Sequence, residues 1–100
     1  MDINVVELKS RLDAGDKFIF LDVREPHEFD EFNIGAQLIP LATVPENIAQ
    51  FAGHENEEII IHCRSGKRSA MAQMSFQQAG FSNVRNVEGG VLDWIDKFGK

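Results

Sequence analysis

One hundred residues carry 16 acidic and 10 basic side chains, for a net charge of −6, and 43% are hydrophobic. That length holds one hydrophobic core, so residues 1–100 read as a single domain, and the acidic balance speaks against general nucleic-acid binding, which needs a basic footprint. One cysteine excludes an internal disulfide, and His27, His54 and His62 lack zinc-finger spacing, so neither metal nor cofactor is expected.

Charges from Asp2 to Lys17 interrupt any secretory apolar segment, and apolar runs such as Phe18–Leu21 are far too short to span a membrane. A cytoplasmic location with no membrane partner is the expectation. Asn4 can cap a helix over Val5–Ala14, with Val5, Leu8 and Leu12 on one face and Gly15 at its end. Phe18–Leu21 reads as a core strand that ends in Asp22-Val23-Arg24. Pro26 opens a short helix to Phe32, with Phe29 and Phe32 as inward anchors. Ile34–Pro40 reads as a turn and a short strand. Thr43-x-x-Glu46 has the form of a capping box, which predicts a helix with Pro45 in its first turn, Ile48, Phe51 and Ala52 inward, and Gly53 as its stop.

Glu58–His62 is short, apolar and β-branched, as expected of a strand buried on both faces. Ser69–Ala79 contains no Gly or Pro and favours helix, with Gly80 ending it. Val84–Val87 is a weak strand, and Glu88-Gly89-Gly90 a flexible turn. Val91, Trp94, Ile95 and Phe98 then fall at i, i+3, i+4 and i+7, the clearest amphipathic helix in the chain. Strands alternating with helices imply a parallel sheet covered on both faces, an α/β fold.

The chemistry concentrates in His62-Cys63-Arg64-Ser65-Gly66-Lys67-Arg68-Ser69, between the apolar strand and the helix that follows. In open α/β sheets ligands bind at the carboxyl ends of strands, where the next helix presents free N–H groups. No acid occurs from Ile59 to Val87, whereas Arg64, Lys67, Arg68 and Arg85 do, so an acidic chain keeps one basic region around its only thiol. Cations and a helix N-terminus both favour thiolate over thiol, and Gly66 lets successive amides turn inward. Cys63 is therefore the candidate nucleophile of a loop on the surface rim. Arg64, Ser65, Gly66, Lys67, Arg68 and Ser69 are the candidate substrate-binding residues, suited to a small anion. Asp22 and Arg24 either border this site or make a structural contact.

Cysteine phosphatases and arsenate reductases use a longer loop, with arginine six residues after the cysteine. Here Ser69 holds that place and Arg68 comes one residue early. The six positions from Cys63 to Arg68 enclose less space, suited to one added sulfur atom rather than a phosphate. Redox chemistry would also need a second cysteine.

Several segments resemble the single-domain rhodanese family of sulfurtransferases. They are Asp22-Val23-Arg24-Glu25-Pro26-x-Glu28-Phe29, Asn33-Ile34-Gly35-Ala36 to Ile39-Pro40, Cys63-Arg64-Ser65-Gly66-Lys67-Arg68-Ser69, Gly80-Phe81, Val87-x-Gly89-Gly90 and Trp94. The resemblance implies a central parallel sheet of about five strands with helices on both faces. It also implies sulfur transfer through a Cys63 persulfide, from thiosulfate or a protein persulfide to cyanide, a thiol or a sulfur-carrier protein. On that model the amides from Arg64 to Arg68 stabilise the persulfide and the three cations attract the donor. Asn33-Ile34-Gly35-Ala36 stands where many members carry His-Ile-Pro-Gly-Ala, and this form is more similar to rhodanese domains attached to enzymes that activate sulfur carriers. The rival within the same fold is a noncatalytic binding module, whose members typically lack the cysteine.

Overall fold

In the computed structural model, which describes Met1–Lys100, four strands alternate with five helices. The strands are β1 (Ile19–Asp22), β2 (Gln37–Leu38), β3 (Ile59–His62) and β4 (Val84–Asn86). The helices are α1 (Val5–Asp13), α2 (Pro26–Glu31), α3 (Val44–Asn47), α4 (Lys67–Gln78) and α5 (Gly90–Phe98). All pairings are parallel, in the order β2-β1-β3-β4. A single parallel bridge between Ile3 and Val87 adds a rudimentary fifth position beside β4, in line with the expected sheet of about five strands.

β3 lies inside the sheet because its apolar residues serve both faces. Side chains alternate along a strand, so Ile59 and Ile61 enter one core with Leu21, Val23, Ala72, Phe76 and Val84, while Ile60 enters the other with Ile3, Val5, Leu8 and Val87. α1 covers the second core as its cap predicts: Glu7 N–H donates to Asn4 Oδ1 at 2.8 Å, and Val5 and Leu8 are buried. α4 covers the first through Ala72 and Phe76. Both layers leave the carboxyl ends of β1 and β3 side by side, with Asp22 paired to His62. No helix is long and apolar enough to cross a membrane.

Three local expectations are corrected. Thr43 does not cap a helix. It already has helical backbone angles, where a cap residue is extended, and its hydroxyl donates to Pro40 O at 2.8 Å. The segment instead runs as a 3₁₀ turn over Leu41–Thr43, the four residues of α3, and a second 3₁₀ turn over Ile48–Phe51. Val44 and Phe51 are buried there, whereas Ala52 is exposed. Secondly, Phe29 and Phe32 are only half-buried, and α2 buries no residue completely.

The third correction concerns Arg85. It points away from the thiol loop, its guanidinium bonded to Glu58 at 2.9 Å and Glu7 at 3.2 Å. Arg11 bonds both oxygens of Glu58 and shares Oε2 with Arg85, so α1, the start of β3 and β4 share one carboxylate. Arg11 hydrogen bonding, opposed by burial and assisted by Arg85, holds the Glu58 carboxyl at about 2. A carboxyl depressed in the folded state stabilises fully above its unfolded value and loses that contribution as pH falls through the folded one. Unfolding free energy should therefore decline between pH 4.5 and about 2. Glu58→Gln should flatten that decline by about 1 to 2 kcal/mol, read by urea titration across the window; an unchanged slope would remove Glu58 from this role.

Candidate active site

Cys63 directly follows β3, and three residues later Gly66 takes a left-handed φ of +102° to start α4. An L side chain rarely adopts that conformation. The turn reverses the chain around the sulfur. Gly66 N–H lies 3.1 Å from Cys63 Sγ, Ser69 N–H and the Ser69 hydroxyl each 3.4 Å, and the Ser65 amide also faces it. Of the amides expected to hold the sulfur, those of Ser65 and Gly66 do so. Ser69, one residue beyond the ring, adds two donors.

The environment of the thiol also differs from a surface rim. Cys63 is 1% exposed and belongs to the first core cluster. Burial pushes its pKa up, but the Ser69 hydroxyl and the amides of Ser69, Gly66 and Ser65 outweigh it and leave the thiol below its ordinary value. Neutral dipoles fixed at the sulfur, more than adjacent cations, favour the thiolate. Since the Gly66 and Ser69 amides are already at hydrogen-bond length from Sγ, the anion needs little backbone rearrangement to form.

The loop's carbonyls are engaged from behind. Val91 N–H donates to Cys63 O and Leu92 N–H to Arg64 O, both at 3.0 Å, so the first turn of α5 grips the loop. Gly90 makes that approach possible: a Cβ there would lie 2.5 Å from Cys63 O and 2.6 Å from Arg64 O. The Gly89-Gly90 turn is thus a packed elbow, Gly90 buried, rather than a flexible link.

The charged side chains divide into two groups. Arg64 and Lys67 are exposed and make no ion pair within the chain. Arg68 instead turns to α2, its two terminal nitrogens on the two oxygens of Glu28 at 2.7 and 2.9 Å. That contact, opposed by burial, holds the Glu28 carboxyl at about 2. α2 is fixed in turn by Arg24, which pairs with Asp22 at 2.8 Å and donates to Phe32 O at 2.7 Å. Asp22 and Arg24 are both buried, and make this structural contact behind the loop. His62 is also buried; desolvation keeps its pKa low, although Asp22 Oδ2 lies 3.6 Å from its Nε2. Beside Arg64 opens a cleft of about 260 Å³, lined by Arg24, Glu28, Phe32, Leu92 and Ile95 among others. No group of three or more His, Cys, Asp or Glu side chains converges on a point where a metal could sit.

Of the sequence-predicted residues, Gly66 and Ser69 meet the Cys63 sulfur, Arg64 and Lys67 face solvent, Arg68 turns to Glu28, and Arg85 lies apart on Glu58 and Glu7. Glu28, Asn86 and Gly90 were missed. Asn86 donates from Nδ2 to Gly66 O at 3.0 Å. The Gly-Gly doublet before an amphipathic helix was a readable signal; nothing local marked the other two. Asn33, where the resemblance departs, makes an Asx turn, accepting from Gly35 N–H at 3.0 Å and donating to Phe29 O at 3.2 Å.

Residues 4–97 match the model of the family described as rhodanese-like domain. The chain is 37% identical over 97 residues to the putative sulfur carrier protein YrkF of Bacillus subtilis, covering 96% of this chain and 51% of that protein. It therefore spans only about half the length of that relative. It is 32% identical over 94 residues to the putative sulfurtransferase YtwF of the same organism, covering 93% and 88% of the two chains. Among solved structures, a rhodanese-like domain protein from Staphylococcus aureus superposes with a TM-score of 0.82 at 34% identity, over 94% of this chain and 91% of that one.

Two outcomes follow from this geometry. Iodoacetamide should alkylate Cys63 with a midpoint below the ordinary thiol value near 8.5, about the same in low and high salt because fixed dipoles rather than surface charges set it; a midpoint at or above 8.5 would contradict the donor arrangement. Gly90→Ala should destabilise the fold by about 2 to 4 kcal/mol in urea titrations and slow alkylation, since its methyl must displace the loop backbone.

Proposed function

The chain belongs to the rhodanese-like domain family, and on that premise we propose that it is a sulfurtransferase working through a Cys63 persulfide. The single observation that carries this reading is a buried sulfur, below its ordinary thiol pKa, with the Gly66 and Ser69 donors turned toward it. In the first half-reaction the Cys63 thiolate attacks the outer sulfur of thiosulfate. A new S–S bond forms as the donor's S–S bond breaks, its electron pair leaving on sulfite. In the second, a thiolate acceptor, cyanide in an assay or a sulfur-carrier protein attacks the added sulfur, and Cys63 departs as thiolate. No external oxidant or reductant is consumed.

The enclosure of Cys63 supports a small, end-on donor. An S–S bond is about 2 Å long, so the added atom extends from the covered Sγ toward the acceptor. Arg64 and Lys67, free of ion pairs, would draw in the anionic donor, while Arg68, engaged by Glu28, would hold the loop in shape. The names of two relatives, one a putative sulfur carrier protein and one a putative sulfurtransferase, agree with a protein acceptor or donor. We place the reaction in the cytoplasm.

Incubating the reduced protein with thiosulfate should add one sulfur atom to Cys63 by intact mass, removable by cyanide or dithiothreitol. Cys63→Ser should abolish both the adduct and thiocyanate formation, and aryl phosphates should not turn over. Phosphatase activity with no persulfide from any donor would overturn the assignment. Lys67→Gln should weaken apparent donor affinity several-fold while changing acceptor attack little. The difference should shrink in 1 M salt, where the Debye length is about 3 Å; equal effects on both half-reactions would count against donor capture by Lys67.

A further inference from the structure

The Ser69 hydroxyl has one proton and two acceptors. Asn86 Oδ1 lies 2.5 Å from Ser69 Oγ, and Cys63 Sγ lies 3.4 Å from it. A hydroxyl cannot donate to both at once. The orientation of the Asn86 carboxamide is set by its other end: Nδ2 donates to Gly66 O at 3.0 Å, and a flipped amide would put two oxygens together there. Oδ1 therefore faces Ser69 as an acceptor. Asn86 is held further by its backbone N–H on Asp2 Oδ1 at 3.1 Å, and is 7% exposed.

We propose that Asn86 is a positioning residue that holds the Ser69 hydroxyl proton while Cys63 is neutral and releases it to the sulfur when Cys63 becomes anionic. A carboxamide oxygen is a stronger acceptor than a neutral thiol sulfur, which favours Asn86 in the thiol state. A full negative charge on Sγ reverses the preference, because a hydrogen bond to an ion is stronger than one to a neutral amide. Ser69 then adds a donor to the amides of Ser65, Gly66 and Ser69 at the moment charge appears. On the sulfur-transfer reading, on which only this consequence rests, that moment recurs in the second half-reaction. The acceptor's sulfur bonds to the outer persulfide sulfur, the bond to Sγ breaks with its electron pair on Sγ, and the Ser69 O–H turns its hydrogen bond from Asn86 Oδ1 to the departing thiolate, its proton staying on Ser69 Oγ.

The test is the pH midpoint of Cys63 ionisation in the sulfur-free protein, read by thiolate ultraviolet absorbance and by alkylation rate. The charged and titratable groups nearest the sulfur are Arg64, Lys67 and Arg68 of the loop and first helical turn, Glu28 of α2 and His62 of β3, none of which the variants alter. Asn86→Leu removes the competing acceptor at similar volume and should lower the midpoint by about 0.5 to 1 unit. Asn86→Asp strengthens the acceptor and should raise it by a similar amount. In a Ser69→Ala background the Asn86→Leu shift should vanish, whereas an effect through loosening of Gly66 would survive. A midpoint unchanged or raised by Asn86→Leu, or a shift that persists without the hydroxyl, overturns the proposal. If Asn86→Leu does not fold, as judged by its thermal melt, Asn86→Asp decides together with its Ser69→Ala counterpart: the new carboxylate raises the midpoint by charge in both backgrounds, a further rise present only with the hydroxyl supports the proposal, and a rise of equal size in both, or none, overturns it. Because no sulfur is transferred in these measurements, their outcome is separate from the persulfide assay.

Discussion

A loop can turn amide N–H groups toward one buried atom only if its own carbonyls find donors elsewhere. In this chain that constraint organises the molecule. With Gly66 and Ser69 N–H turned toward Sγ, the outward carbonyls of Cys63 and Arg64 take Val91 and Leu92 N–H from α5, and Gly66 O takes Asn86 Nδ2 and Ala70 N–H. A buried carbonyl left unpaired would cost about 1 to 3 kcal/mol, enough to reopen a short loop. The elements around the loop therefore act as its acceptors and donors as much as its packing neighbours. Gly90 is required on steric grounds, since any larger residue would keep the α5 amides out of reach.

The second layer of support is ionic and faces the other side. Asp22 and Arg24 leave the end of β1 together, Arg24 fixes the end of α2 through Phe32 O, and Glu28 on α2 holds Arg68 by both oxygens. Each charge in this relay is matched at hydrogen-bond distance, which is the condition under which buried or half-buried ions are tolerated. Its effect is to remove Arg68 and Arg24 from the solvent-facing field. The cations left unpaired at the mouth are Arg64 and Lys67, so positive potential lies outside the loop and neutral donors lie inside it. That separation suits an anion that must be captured at the surface yet react at an enclosed sulfur.

Legibility in the sequence followed the range of the interaction concerned. β3, α1 and α5 could be read because hydrophobic period and capping residues act within a few positions, as did the strand-to-helix turn at Gly66. Thr43 misled because its capping-box pattern is satisfied by sequence alone, while the structure uses its hydroxyl to close the turn from Pro40. Arg85 misled for a different reason: proximity in sequence to the basic loop says nothing about which end of a strand a side chain reaches, and Glu58 and Glu7 captured it. Glu28 and Asn86 lie 40 and 17 residues from their partners Arg68 and Ser69, so although Glu28 stands in a motif, no local pattern shows either pairing.

Burial of the nucleophile is the feature least expected from composition, and it sharpens the distinction between sulfur and phosphate chemistry. A tetrahedral oxyanion must be surrounded, which demands a wide ring and an arginine aimed into it. Here the ring ends at Arg68, whose guanidinium is turned outward to Glu28, and Sγ is already in contact with the donors that would otherwise meet phosphate oxygens. An added sulfur makes no such demand. In the proposed persulfide it would extend Sγ by one atom along a single bond, keep the donors on Sγ, and leave its outer side for attack. In the proposed reaction the closest donors would then sit on the atom that leaves as an anion, and not on a group that must be encircled, which is the arrangement differential stabilisation of a departing thiolate requires.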